Sequence, residues 1–183
     1  MECDRVRNLA EKKAIIVVDL VHDFVDGKFG SDCAKEVARK IREFLLRSKD
    51  IVIVMTRDCH IKDDPEFSVW GEHCLQGTEG SELVPELSDI NSHVVTKRHY
   101  DAFYDSDLDG FLRARRITSL LVCGISTDIC VRHTVAGAFF RNYRIAILED
   151  LCASIDQDAH EKALKEMKNI YGASVIMSEE VKM

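Results

Sequence analysis

Short runs of β-branched and apolar residues alternate along this chain with stretches in which apolar positions recur every three or four residues. The runs cover residues 14–19, 51–57, 94–97, 119–124, 144–149 and 173–177. Each is almost continuously hydrophobic, which predicts strands buried on both faces, as in a parallel sheet. Between them, helical spacing links Val37, Ile41, Phe44 and Leu45, then Val131, Val135, Ala138 and Phe139, then Ala159, Ala163, Met167 and Ile170. The alternation predicts an α/β architecture: a doubly wound, six-stranded, mostly parallel sheet with helices on both faces and right-handed crossovers. One stretch breaks the pattern. From residue 59 to 91 the chain is polar, contains glycine and holds both prolines, Pro65 and Pro85. A connection of that length is usually functional or disordered.

Bulk properties narrow the classes without choosing among them. A chain of 183 residues, 46% apolar, suits one domain spanning residues 1–183. A net charge of −7 and a pI near 5.5 argue against a nucleic-acid partner. The one basic cluster, Arg113, Arg115 and Arg116, reads as a solvated helix end. The first thirteen residues mix charges and lack an apolar core, and no run approaches the ~18 apolar residues of a membrane span. The expectation is a cytoplasmic protein with no membrane partner. The cysteines, Cys3, Cys33, Cys59, Cys74, Cys123, Cys130 and Cys152, are odd in number and irregularly spaced, which predicts reduced thiols.

In an open parallel sheet ligands bind beyond the carboxyl ends of the strands, so polar residues ending the apolar runs draw attention. These are Asp19, Asp58, Lys97 and the segment after Gly124. Taken singly, Asp19 reads equally as a turn cap and Lys97 as a salt-bridge partner. Cys130 closes the segment Gly124-Ile125-Ser126-Thr127-Asp128-Ile129-Cys130, where a strand gives way to a helical pattern. Thr127 or Asp128 would cap that helix, and a cysteine in its first turn would feel the positive end of the dipole and favour thiolate. Turn amides there could also hold an oxyanion. Together, Asp19, Lys97 and Cys130 would supply a base, a cation and a thiol.

A second cluster joins Asp58 and His60 to His73. In extended chain, residues two apart point to one side, so Asp58 and His60 can converge on one ion while Cys59 points away. Carboxylate and imidazole ligands with open positions suit a divalent metal, zinc foremost, with manganese and iron as alternatives. Two other readings stay open: a structural site of Cys59, His60, His73 and Cys74, and plain surface histidines.

Five ordered segments resemble the nicotinamidase and pyrazinamidase branch of the isochorismatase-like cysteine hydrolases. They are Ile16-Val17-Val18-Asp19 with Phe24, Thr56-Arg57-Asp58-Cys59-His60, Trp70-Gly71-Glu72-His73-Cys74, Thr96-Lys97, and Gly124 through Val131. The resemblance implies a catalytic triad of Asp19, Lys97 and Cys130, and metal ligands Asp58, His60 and His73, with Glu66, seven residues before His73, as a further ligand. It also implies a cis peptide at Ile125-Ser126, an oxyanion hole from the Ser126 and Cys130 amides, and a substrate ring held by Phe24 and Trp70 beside Ile125. Cys59 and Gly71 depart from the family pattern, where tryptophan and proline are common, and Ser126 stands where alanine is commoner.

The implied activity is hydrolysis of a small amide, nicotinamide or an analogue such as pyrazinamide, through a cysteine thioester. It would use a divalent metal and no organic cofactor, and a homo-oligomer stays open. Two alternatives stand beside it: hydrolysis of another small amide or ureido acid, and a non-enzymatic phosphoacceptor module, which also places acids and a lysine after strands.

Overall fold

The computed structural model describes residues 12–48 and 50–181. Cys3 and most of the charged leading stretch lie outside the described residues. Six strands form one sheet: β1 (Lys13–Val18), β2 (Val52–Asp58), β3 (His93–Lys97), β4 (Ser119–Ile125), β5 (Arg144–Ala153) and β6 (Ser174–Ile176). Their order is β3-β2-β1-β4-β5-β6, and every neighbouring pair is parallel, so the sheet is wholly rather than mostly parallel. All seven residues of β4 are buried, as are the last five of β1. Side chains of a strand alternate between the two faces, so burial at consecutive positions means that both faces are covered.

The helices are α1 (His22–Val25), α2 (Asp32–Arg47), α3 (Phe67–Trp70), α4 (Leu108–Ala114), α5 (Arg132–Phe140) and α6 (Gln157–Tyr171). α2 begins at Ser31, whose hydroxyl accepts the Ala34 amide at 3.0 Å, and its stripe of Val37, Ile41, Phe44 and Leu45 is buried. α6 begins at Asp156, which accepts the amides of Asp158 and Ala159, and ends on left-handed Gly172. Two predicted core positions turn outward: Phe139 and Ile170 are exposed, because the buried stripes of α5 and α6 end before them. Arg113, Arg115 and Arg116 do cluster at the end of α4, all exposed. Among the described residues no helix is long and apolar enough to cross a membrane.

The strand order reverses direction between β1 and β4, and that switch point opens a crevice at the carboxyl edge. The two strands approach so closely there that only glycine fits at 124. Gly124 pairs with Val18, has φ +124°, and a Cβ on it would lie 2.1 Å from the Val18 carbonyl oxygen. Gly124→Ala therefore combines a forbidden backbone angle with a backbone clash, and is expected to lower the unfolding free energy by about 3 kcal/mol. Urea denaturation reads this directly; an unchanged midpoint would refute it.

The segment 59–91 is ordered rather than loose. It folds over the carboxyl edge through α3 and two 3₁₀ turns, Glu79–Ser81 and Pro85–Leu87. It is then tied back to the β1–α1 connection by the Val84 amide on the Leu20 carbonyl and the His22 amide on the Glu82 carbonyl, each at 3.0 Å.

Candidate active site

Four strand ends converge in the crevice. Asp19 follows β1 with φ 51°, a left-handed angle that Asp tolerates better than most residues, and is fully buried. The Thr56 hydroxyl donates to Asp19 Oδ1 at 2.6 Å and accepts the Asp19 amide at 3.1 Å, which fixes the carboxylate. Lys97 ends β3 beside Asp58, its register partner at the end of β2. Its ammonium reaches across the sheet to Asp19 Oδ2 at 2.6 Å, Asp58 Oδ1 at 3.0 Å and Cys130 Sγ at 3.7 Å. The base, the cation and the thiol expected from the sequence are thus in mutual contact.

Cys130 arrives differently from the way the sequence suggested. It lies not in the first turn of an α-helix but in a single π-helical turn, Thr127–Val131, that precedes α5. Neither Thr127 nor Asp128 caps it: Thr127 Oγ1 pairs with His160 Nδ1 at 2.9 Å, and Asp128 accepts the Ser154 hydroxyl at 2.7 Å. The Ser126 carbonyl accepts the amides of Ile129 and Val131, both at 3.1 Å, and the Cys130 amide between them is not among its partners. The Ile125-Ser126 peptide is cis.

Desolvation dominates the electrostatics of the crevice. Burial pushes the Cys130 thiol well above its usual range; Lys97 opposes this, while Asp19 and Asp58 add to it. Burial likewise raises the Asp19 carboxyl, with Lys97 acting against it. Burial works against charge on Asp58 too, yet Lys97 and His60 hold it down at about 2. Burial disfavours the Lys97 ammonium, but Asp19 and Asp58 keep it charged well above the ordinary amine range. Burial is the largest influence on each of these four groups, and Lys97 is the cation that opposes it at Asp19, Asp58 and Cys130.

The second cluster assembles above Asp58. Ligand atoms of Asp58, His60 and His73 all lie within 4.8 Å of one another, and all three residues are buried. His60 Nε2 is 3.1 Å and His73 Nε2 3.8 Å from Asp58 Oδ2. His73 Nδ1 lies 2.8 Å from the Gly71 carbonyl, and donation there leaves the Nε2 lone pair facing the cluster. His60 Nδ1 is 3.2 Å from Asp64 Oδ2, a carboxylate placed to orient the imidazole from behind. Glu66 Oε1 is 3.9 Å from His60 Nε2 and 3.8 Å from His73 Nε2, at the cluster's rim, and burial raises its carboxyl to about 7. This donor set, with one imidazole tautomer already directed, fits a divalent metal. Cys59 and Cys74 are buried free thiols, and neither joins the trio.

Between the thiol and the cluster lies a cavity walled by Phe24, Phe29, Trp70, Tyr100, Ile125 and Ile129, among others. Phe24, Trp70 and Ile125 were expected there; Phe29 and Tyr100 were not. The Trp70 indole donates to the Tyr100 hydroxyl at 2.9 Å, and Phe29 meets the His73 ring edge-on at 5.4 Å. No short-range pattern marks either residue, because both depend on loops that pack only in the folded chain. Asp64 was missed too, although its place four residues after His60 carried a signal.

Comparison with known proteins adds a family and several neighbours. The family model Isochorismatase domain matches residues 13–180. The nicotinamidase/pyrazinamidase of Mycobacterium tuberculosis is 31% identical, over 85% of this chain and 94% of its own. Among solved structures, the N-carbamoylsarcosine amidase of Thermoplasma acidophilum superposes with TM-score 0.86 at 36% identity, covering 94% of this chain and 99% of that one. The pyrazinamidase of Pyrococcus horikoshii in complex with zinc superposes with TM-score 0.83 at 29% identity, over 91% and 99%.

Proposed function

This chain belongs to the isochorismatase family as an amidohydrolase, and from that premise we propose that it is a metal-dependent nicotinamidase, converting nicotinamide and water to nicotinate and ammonia. The observation that carries the reading is the Lys97 ammonium held between Asp19 and Asp58 and 3.7 Å from Cys130 Sγ, directly beneath the Asp58, His60 and His73 cluster. It links a nucleophile to a ligand set through one side chain.

In the proposed reaction, Asp19 takes the Cys130 proton and the sulfur attacks the carboxamide carbon. Burial raises the Asp19 carboxyl and so makes it a stronger base than a carboxylate in water, while Lys97 favours the thiolate that forms. Lys97 stays charged and offsets the negative charge passed between them. The developing oxyanion rests on the amides of Ser126 and Cys130. Asp19 returns its proton to the departing ammonia, then draws a proton from water as that water cleaves the thioester and passes it to the released Cys130 sulfur, which restores the thiol. Phe24 and Trp70 hold the ring beside Ile125. Asp58, His60 and His73, with Glu66 at the rim, would hold a divalent metal, zinc by the likeness to the Pyrococcus horikoshii enzyme, and when bound it supplies a Lewis-acid seat for the ring nitrogen.

A second reading, hydrolysis of a ureido acid, draws support from the N-carbamoylsarcosine amidase likeness. Such a substrate carries a carboxylate, which asks for a cation in the pocket. Among the described residues, those walling the cavity include no lysine or arginine. That favours a neutral aromatic amide. Ammonia release measured with nicotinamide and with an N-carbamoyl amino acid, on native and chelator-treated protein, tests the choice. The expected result is turnover of nicotinamide alone, with chelation raising KM at least about tenfold and moving Tm far less. Turnover of the ureido acid but not nicotinamide would reverse the assignment.

A further inference from the structure

We infer that Lys28 is a positioning residue that fixes the segment from Trp70 to His73, and so sets both the aromatic wall of the pocket and the aim of one metal-ligating imidazole. The inference rests on the proposed role of His73 as a ligand.

Lys28 lies just past α1, in a turn closed by the Gly27 amide on the His22 carbonyl and the Phe29 amide on the Asp23 carbonyl, both at 2.7 Å. From there its ammonium crosses to the long β2–β3 connection and donates to two backbone carbonyls, those of Trp70 and Glu72, at 2.8 Å each. The carbonyl between them, that of Gly71, turns the other way and lies 2.8 Å from His73 Nδ1. Three successive carbonyls are thereby sorted: two onto Lys28, one onto the imidazole. The sorting requires the backbone to reverse at Gly71, which has φ +71°, and a Cβ there would stand 2.9 Å from the Lys28 ammonium.

The same short stretch holds the connection at two further points. Asp23, within α1, accepts the Cys74 amide at 2.6 Å, immediately after His73. Phe29, next to Lys28, packs edge-on against both Trp70, at 6.3 Å, and His73, at 5.4 Å. Without the Lys28 clamp, Trp70 and Glu72 would present bare carbonyls to solvent and the Gly71 carbonyl would lose its fixed direction. Lys28 itself is exposed and touches neither Cys130 nor Asp19, so its influence on hydrolysis runs through the wall and the ligand it places.

The test uses Lys28→Met, which keeps the stem and removes the donor, and Lys28→Arg, which restores donors. Trp70 is the chain's single tryptophan, so its fluorescence reports on this segment without interference. In metal-free protein, Lys28→Met is expected to raise acrylamide quenching of Trp70 at least about twofold, and zinc affinity, read by chelator competition, to fall about tenfold. With nicotinamide, KM rises about tenfold while kcat changes little, and Lys28→Arg recovers most of each effect. Quenching and zinc affinity equal to wild type in Lys28→Met would overturn the inference, as would an equal loss in Lys28→Arg. If wild-type protein releases no ammonia from nicotinamide, the proposed function fails, while the quenching and zinc measurements still decide the role of Lys28.

Discussion

Replacing Cys130 with alanine is expected to lower ammonia release from nicotinamide by at least about 10⁴-fold while leaving zinc uptake and the unfolding midpoint near wild type. The stability half follows from size and surroundings. The thiol is small, and its polar contacts, Lys97 and Asp19, keep each other as partners when the sulfur is gone, with Asp58 still on Lys97. Burial also raises the thiol, so the resting site contributes little charge–charge stabilisation through sulfur. The activity half follows from what remains. Asp19, Lys97 and the amides of Ser126 and Cys130 could still activate water, but water would have to occupy the position of a tethered nucleophile. Cys130→Ser is the sharper companion, because it keeps a hydroxyl of near-equal size that is a far weaker nucleophile. Both variants should fall together. Turnover within tenfold of wild type in Cys130→Ala would remove Cys130 from the mechanism.

The strands that carry the site were legible because a doubly covered parallel sheet writes itself as uninterrupted apolar runs. All six runs became strands, and the polar residues closing three of them, Asp19, Asp58 and Lys97, face one crevice. What could not be read was local geometry that depends on neighbours. The π-helical turn at Cys130 has no distinct spacing signal, so the segment reads as an ordinary helix start. The wall residues Phe29 and Tyr100 owe their place to a turn after α1 and to the segment after β3, neither of which has periodicity. Desolvation was the other blind spot. A sequence shows that Cys130 nears a helix, and so suggests a lowered thiol, but only the fold shows how deeply the thiol is buried and that burial pushes it up.

Lys97→Met should be the most destabilising single change at the site, lowering the unfolding free energy by about 3–5 kcal/mol and activity by at least about 10³-fold. The methionine fills similar space, so packing is largely kept; what is lost is the charge that stands 2.6 Å from Asp19 and 3.0 Å from Asp58. Two carboxylates would then share a buried site with no cation between them, which costs more than losing the pair outright. The sign with pH follows. In the native protein Asp58 titrates at about 2, below its ordinary 3.8, so its contribution is full above about pH 4 and fades as pH falls toward 2. In the variant burial acts on both carboxyls without the Lys97 cation, opposed only by His60 at Asp58 and the Thr56 hydroxyl at Asp19, so the folded chain takes up protons as pH falls and regains stability. The gap between wild type and variant is therefore widest near pH 7 and narrows by pH 4.5. Urea titrations of chelator-treated protein at these two values measure it, and an equal gap at both would contradict the argument. Adding Asp19→Asn to Lys97→Met removes one unpaired charge and should recover part of the stability at pH 7 without recovering activity, because Asp19 is also the proposed proton carrier.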